Sequence, residues 1–137
     1  MPERTPTVLI IDDEIDMRML VRVVIDMAHT GLAVVGEAAD GPEGIEVWRS
    51  LNGPPVPDVI VLDNRMPLLS GLEVAELILQ ERPEQKIVLF SAFLDEEVRR
   101  SADAVGISAC VTKEDASQLP ELINGLLAAD SRNGTDA

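Results

Sequence analysis

Five short apolar runs rich in β-branched residues recur along the chain: Val8 to Ile11, Leu32 to Val35, Val59 to Leu62, Ile87 to Phe90 and Ile107 to Val111. Both faces of each run are apolar and the strict alternation of a half-solvated sheet is missing, so they read as buried parallel strands. Between them lie segments with helical spacing. Ile15 to Ala28 puts Met17, Val21, Val24 and Ala28 on one stripe and Asp16, Arg22 and Asp26 opposite it. Glu43 to Leu51 follows Gly41-Pro42, Leu72 to Gln80 follows Ser70-Gly71, and Asp95 to Ala104 carries a weaker repeat of Val98, Ala102 and Val105. A last helix is expected to run to about Ala128, with Pro120 in its first turn, where a missing N–H costs little. Strand and helix alternating five times predict parallel strands joined by right-handed crossovers, a doubly wound α/β sheet with helices on both faces.

The longest connection is Asn52 to Pro57, with three prolines. Polar ends without apolar anchors predict loose tails over residues 1–6 and 130–137, around one domain at 7–129. A hydrophobic content of 46% in 137 residues can fill a single core and excludes a disordered acidic chain. The formal charge is −14, with 11 basic residues scattered among 25 acidic ones, which argues against direct binding to nucleic acid or anionic membrane. No apolar run reaches the roughly 18 residues of a membrane helix, and Met1 to Thr7 has no secretory character, so a cytoplasmic location is expected. One cysteine, Cys110, and one histidine, His29, exclude an internal disulfide and a Cys/His zinc site. Any metal must be held by oxygen.

Ligands of doubly wound sheets bind outside the carboxyl ends of the strands. The first run ends in Asp12-Asp13-Glu14, the third in Asp63-Asn64-Arg65, the fourth in Ser91-Ala92 and the fifth in Thr112-Lys113. Asp12 and Asp13 can be helix caps or cation ligands. Asp63 has no helix terminus beside it to cap, because the next helix begins near Gly71. Two carboxylates about 5 Å apart repel by roughly 3 kcal/mol at an effective dielectric near 20, so a cation must compensate. A hard divalent ion such as Mg²⁺, with Lys113 as a further point charge, meets that need.

From about Thr7 to Ala128 the chain resembles the response-regulator receiver domains of two-component signalling. The resemblance rests on Asp12-Asp13, the segment from Asp58 through Asp63, Met66-Pro67 and Gly71, Ser91-Ala92, and Lys113. It implies a flavodoxin-like sheet of order 2-1-3-4-5 and makes Asp63 the phosphoryl acceptor. Asp12 and Asp13, with Asp63 and the backbone carbonyl of Arg65, would hold Mg²⁺; Ser91 and Lys113 would engage the phosphoryl group. The implied partners are a histidine kinase or histidine phosphotransfer protein and an output protein that the sequence does not name, with homodimerisation left open. Such a domain is no enzyme beyond its own phosphorylation and dephosphorylation. Val35 to Gly41 resembles receivers that precede a helix-turn-helix domain, and no such domain is expected in the remaining residues.

Three positions depart from that pattern. Cys110 stands where many receivers carry Tyr or Phe and is expected to be a buried packing residue. Lys113-Glu114 replaces Lys-Pro. Arg65 and Phe93, two residues after Asp63 and Ser91, are either a solvated arginine and a core phenylalanine or a pair flanking the acceptor. His29 fits a helix end, and Trp48 fits core packing beside Gly44, Ile45 and Leu51. Met19 and Val23, four residues apart among charged positions, are expected on the outer face of the first helix, where the resemblance implies docking of a phosphodonor. Two other classes stay open: a receiver-like interaction module independent of phosphate, and a small Mg²⁺-dependent aspartyl phosphatase, although Arg65 stands where the second acid of such enzymes belongs. A flavin site has no hydroxyl- and glycine-rich loop to hold a phosphate.

Overall fold

The computed structural model describes residues 5–51 and 56–135. Most of the expected Asn52–Pro57 connection, the first four residues of the N-terminal tail and the last two residues of the chain lie outside them. Strands β1 (Thr7–Ile11), β2 (Ala33–Ala38), β3 (Val59–Leu62), β4 (Lys86–Ser91) and β5 (Ala109–Thr112) form one sheet in the order β2-β1-β3-β4-β5. All four pairings are parallel. Helices α1 (Ile15–Ala28), α2 (Gly41–Ser50), α3 (Gly71–Glu81), α4 (Glu96–Val105) and α5 (Leu119–Thr135) complete the flavodoxin-like topology.

Alternate residues of each strand feed two cores. Leu9, Ile11, Ile60, Leu62, Ile87 and Leu89 face α2, α3 and α4, whereas Val8, Ile10, Val59, Val61, Val88 and Phe90 face α1 and α5. Burying both faces explains why the runs read as continuously apolar. Trp48 is buried as expected, and its indole N–H donates to Gln85 Oε1 at 2.9 Å. The Gln85 amide in turn donates to the carbonyls of Pro57 and Lys86, each at 3.1 Å, so the polar atoms in this core are satisfied.

Several boundaries differ from the sequence expectation. β2 runs on to Ala38 because its charged Glu37 finds two guanidinium partners, Arg18 and Arg22. β5 starts two residues late, since Ser108 is occupied with Ile87, its N–H donating to the carbonyl at 2.9 Å and its Oγ accepting from the Ile87 N–H at 3.1 Å. The buried face of α1 centres on Val21 and Ile25, and Ala28 is exposed because the chain leaves the helix at His29, at φ 52°. Backbone helix continues from the expected end near Ala128 to Thr135, with no proline after Pro120 to interrupt it, so the segment expected as a tail from Asp130 is helical over most of its length.

Local chemistry places the ends of the helices that flank the carboxyl rim. Asp40 caps α2 by accepting the Glu43 N–H at 2.8 Å, and Asp95 caps α4 through the Val98 N–H at 2.8 Å. Ser70 and Glu73 form a reciprocal capping box at the start of α3. Gly106 ends α4 at φ 106°, a conformation in which a side chain would be strained.

Candidate functional site

The strand order reverses between β1 and β3, and the carboxyl ends of these two strands carry the acidic residues. Asp12, Asp13 and Asp63 each bring a carboxylate oxygen within 4.8 Å of the others. Asp63 is nearly fully buried, its N–H held by the Ile11 carbonyl at 2.8 Å, which extends the β1–β3 ladder by one residue. Asp12 is equally buried, and Asp13 is exposed. Neither caps α1: the N-cap is Glu14, without a side-chain hydrogen bond, and Asp12 Oδ1 accepts the Glu14 N–H at 2.9 Å instead. The second oxygen, Asp12 Oδ2, is buried, accepts no well-aligned hydrogen bond and faces a single ammonium as an ion pair.

Lys113, the residue after β5, closes the site. Its Nζ lies 3.1 Å from Asp12 Oδ2, 3.0 Å from Glu14 Oε1 and 3.5 Å from Asp63 Oδ1. One ammonium shared among three carboxylates does not balance them. Burial first, and then the charge of Asp12, push the Asp63 carboxyl up to about 7. Burial likewise raises Asp12 above the ordinary aspartate range. Burial works against the Lys113 charge, but Glu14, Asp12 and Asp63 outweigh it and hold the ammonium above its usual pKa. A buried carboxylate oxygen whose one ammonium is shared with two other acids, and an acid that burial and a neighbouring carboxylate push up to about 7, fit a divalent cation on Asp12, Asp13 and Asp63.

Ser91 is buried at the end of β4, paired with Thr112 in register, and its Oγ accepts the Phe93 N–H at 3.4 Å. The rim therefore gathers the three aspartates, the lysine and the serine from four strands. Phe93 is not a core residue: it is 53% exposed, and its ring lies 5.4 Å from the Arg65 guanidinium. This contact ties the β3–α3 loop to the β4–α4 loop. Cys110 is half-buried rather than buried, because β5 is an edge strand; burial pushes its thiol pKa up, which keeps it protonated and unreactive. Met19 and Val23 are 57% and 49% exposed, and Ile15 and Met27 extend the same apolar row along α1. His29 forms the left-handed C-cap of α1, and its backbone N–H donates to Asp26.

Sequence reasoning missed Glu14 as a partner of Lys113 and Arg18 as a partner of Asp12, whose backbone carbonyl accepts from Arg18 Nη1 at 2.6 Å. The available signal was a charged residue, Glu37, inside an apolar strand, since such a group needs a cation nearby.

The family model described as response regulator receiver domain matches residues 8–124. The nitrate/nitrite response regulator protein NarL of Escherichia coli is 39% identical over 102 residues, covering 71% of this chain and 45% of that protein. The chemotaxis protein CheY of Thermotoga maritima is 31% identical over 118 residues, 85% of this chain and 93% of that one. Among solved structures, a LuxR-family two-component response regulator from Aurantimonas sp. SI85-9A1 superposes with a TM-score of 0.82 at 30% identity, covering 92% of this chain and 87% of the other. The chain spans about half the length of NarL and less than a third of a matched Thermotoga methylesterase.

Proposed function

Because the chain belongs to the response regulator receiver domain family, we propose that it is a phosphorylation switch in which Asp63 accepts a phosphoryl group from a histidine kinase or histidine phosphotransfer protein. The observation that carries this reading is the buried Asp63 carboxyl inside an under-neutralised acidic cluster, beside Lys113. Asp12, Asp13 and Asp63, with the Arg65 carbonyl, would hold Mg²⁺, whose charge neutralises the acidic cluster and the incoming phosphoryl oxygens when bound. The chain's own residues do the rest. An Asp63 carboxylate oxygen forms a bond to phosphorus while the bond from phosphorus to the donor nitrogen breaks, and the electron pair leaves with the imidazole. Lys113 faces the developing charge from just after β5. The acyl phosphate adds close to two negative charges to a buried rim, and Ser91 reaches it once its loop moves inward, displacing the Ser91–Phe93 hydrogen bond. That movement is the output, read by another protein; the domain works in the cytoplasm.

Incubation with Mg²⁺ and, in parallel, acetyl phosphate or a phosphomonoester separates this reading from its rivals. A single stable phosphoryl adduct supports the switch, no adduct supports a receiver-like module independent of phosphate, and multiple turnover of a phosphoester supports a phosphatase.

The exposed α1 row is proposed to receive the helix that presents the phosphohistidine. Replacing Met19 and Val23 with glutamine should slow transfer from a phosphohistidine protein about tenfold and leave labelling by acetyl phosphate unchanged. Loss of several kcal/mol of folding stability would assign the pair to the core instead.

The Arg65–Phe93 contact is proposed to restrict the in-line approach of water to the acyl phosphate. Decay of the phosphoryl group, followed by intact mass, should be about tenfold slower in the wild type than in an Arg65→Asn, Phe93→Glu double variant, which corresponds to ~1.4 kcal/mol of barrier. Equal or faster decay in the wild type would contradict this.

A further inference from the structure

We propose that Arg18, anchored by Glu37, is a positioning residue for the cation ligand Asp12; the inference rests on reading Asp12 as such a ligand. The Arg18 side chain is only 14% exposed, and its guanidinium fork is divided between two acceptors. Nη1 donates to the backbone carbonyl of Asp12 at 2.6 Å, and Nε donates to Glu37 Oε1 at 3.0 Å. The other oxygen of Glu37 is taken by Arg22, one turn further along α1. Glu37 is thus oriented by two cations, and it in turn fixes the plane of the Arg18 fork.

The Asp12 peptide is consequently held from both sides. Its N–H donates to the Ala38 carbonyl of β2 at 3.1 Å, and its carbonyl is clamped by Arg18 of α1. Oδ1 accepts the Glu14 N–H, so the oxygen that a cation would take is Oδ2, which is buried, accepts no well-aligned hydrogen bond and meets the Lys113 ammonium at 3.1 Å as an ion pair. A salt bridge that served folding alone could spend both arms of the fork on Glu37. Here one arm goes to the residue that carries the buried ligand oxygen. Partners one shell outside a metal's ligands typically change its affinity by about 10- to 100-fold when removed.

Charge and positioning predict opposite signs, which makes the test decisive. Removing a cation near a cation site favours Mg²⁺ by electrostatics alone, whereas loss of positioning weakens it. Calorimetric titration of Mg²⁺ into the unphosphorylated full chain should show Arg18→Met raising Kd about tenfold, Arg18→Lys raising it less, and Arg49→Met, whose guanidinium pairs with Glu81 instead, leaving it within twofold of wild type. The metal-free thermal midpoint, recorded in parallel, reads any structural role separately. An Arg18→Met Kd equal to or below that of the wild type overturns the proposal. Should that variant fail to fold, Arg18→Lys decides, because it keeps the charge and loses the fork; a Kd raised about threefold supports positioning, and an unchanged Kd overturns it. Wild-type protein that takes up no Mg²⁺ would overturn the ligand reading of Asp12 together with this inference, whereas Mg²⁺ binding that ignores both variants overturns this inference alone.

Discussion

Replacing Gly71 with alanine is expected to cost about 3 kcal/mol or more of folding stability and to remove phosphoryl labelling from whatever fraction still folds. A Cβ at this position would lie 2.2 Å from the Asp63 carbonyl oxygen and 2.8 Å from the Asn64 Cα. Both are backbone atoms, so no side chain can rotate away; either α3 or the β3–α3 loop must shift. The Gly71 N–H also donates to the Asn64 carbonyl at 2.8 Å, which seats the start of α3 directly on the loop that carries Asp63, the proposed phosphoryl acceptor. Ser70→Ala, one residue earlier, removes only the capping-box hydroxyl and should cost about 1 kcal/mol. Urea unfolding of both variants measures the contrast. A Gly71→Ala loss below 1 kcal/mol would show that the junction relaxes freely and does not fix Asp63.

Metal-free protein should become less stable as pH rises from 5 to 8, and Asp63→Asn should flatten most of that slope. In the unfolded chain an aspartate titrates near 3.9, whereas in the fold Asp63 is held at about 7. Between these values the folded state binds the extra proton, so stability falls as pH increases through the window. The full span corresponds to about 2 to 4 kcal/mol. Asp12, also raised, contributes with the same sign, while Glu37, lowered by Arg22 and Arg18 against the effect of burial, adds stability that is lost only on acidification below this window. Thermal melts across pH 5 to 8 should therefore show Asp63→Asn more stable than the wild type at pH 8 and similar to it at pH 5. Saturating Mg²⁺ should reverse the wild-type slope, because the cation requires deprotonated ligands. A flat metal-free profile would mean that the acidic cluster is already neutralised by Lys113.

The parallel sheet was legible because both of its faces are buried, which leaves unbroken apolar runs such as Val59–Leu62, and the carboxyl-end rule then located Asp12, Asp63, Ser91 and Lys113 together. Boundaries were less legible where a charged residue belongs to a strand. Glu37 breaks the apolar run of β2, and only the guanidiniums of Arg18 and Arg22, 19 and 15 residues away, keep it in the ladder. Phe93 illustrates a second limit. Its apolarity favours a core position, yet the short loop after β4 holds it outside, where the Arg65 guanidinium supplies its contact. Gly71 was legible as a matching position of the family pattern but not as a 2.2 Å approach to the Asp63 backbone, because that closeness exists only once α3 is seated.

Asp63, and no other carboxylate of the rim, is expected to become phosphorylated. Borohydride reduction of the protein labelled with acetyl phosphate, followed by peptide mass mapping, traps the acyl phosphate where it formed. With Mg²⁺, conversion is expected at Asp63 alone, with none in Asp63→Asn and a yield that falls to background with chelator. Conversion at Asp12 or Asp13 in the wild type, or equal yield in Asp63→Asn at another aspartate, would contradict it.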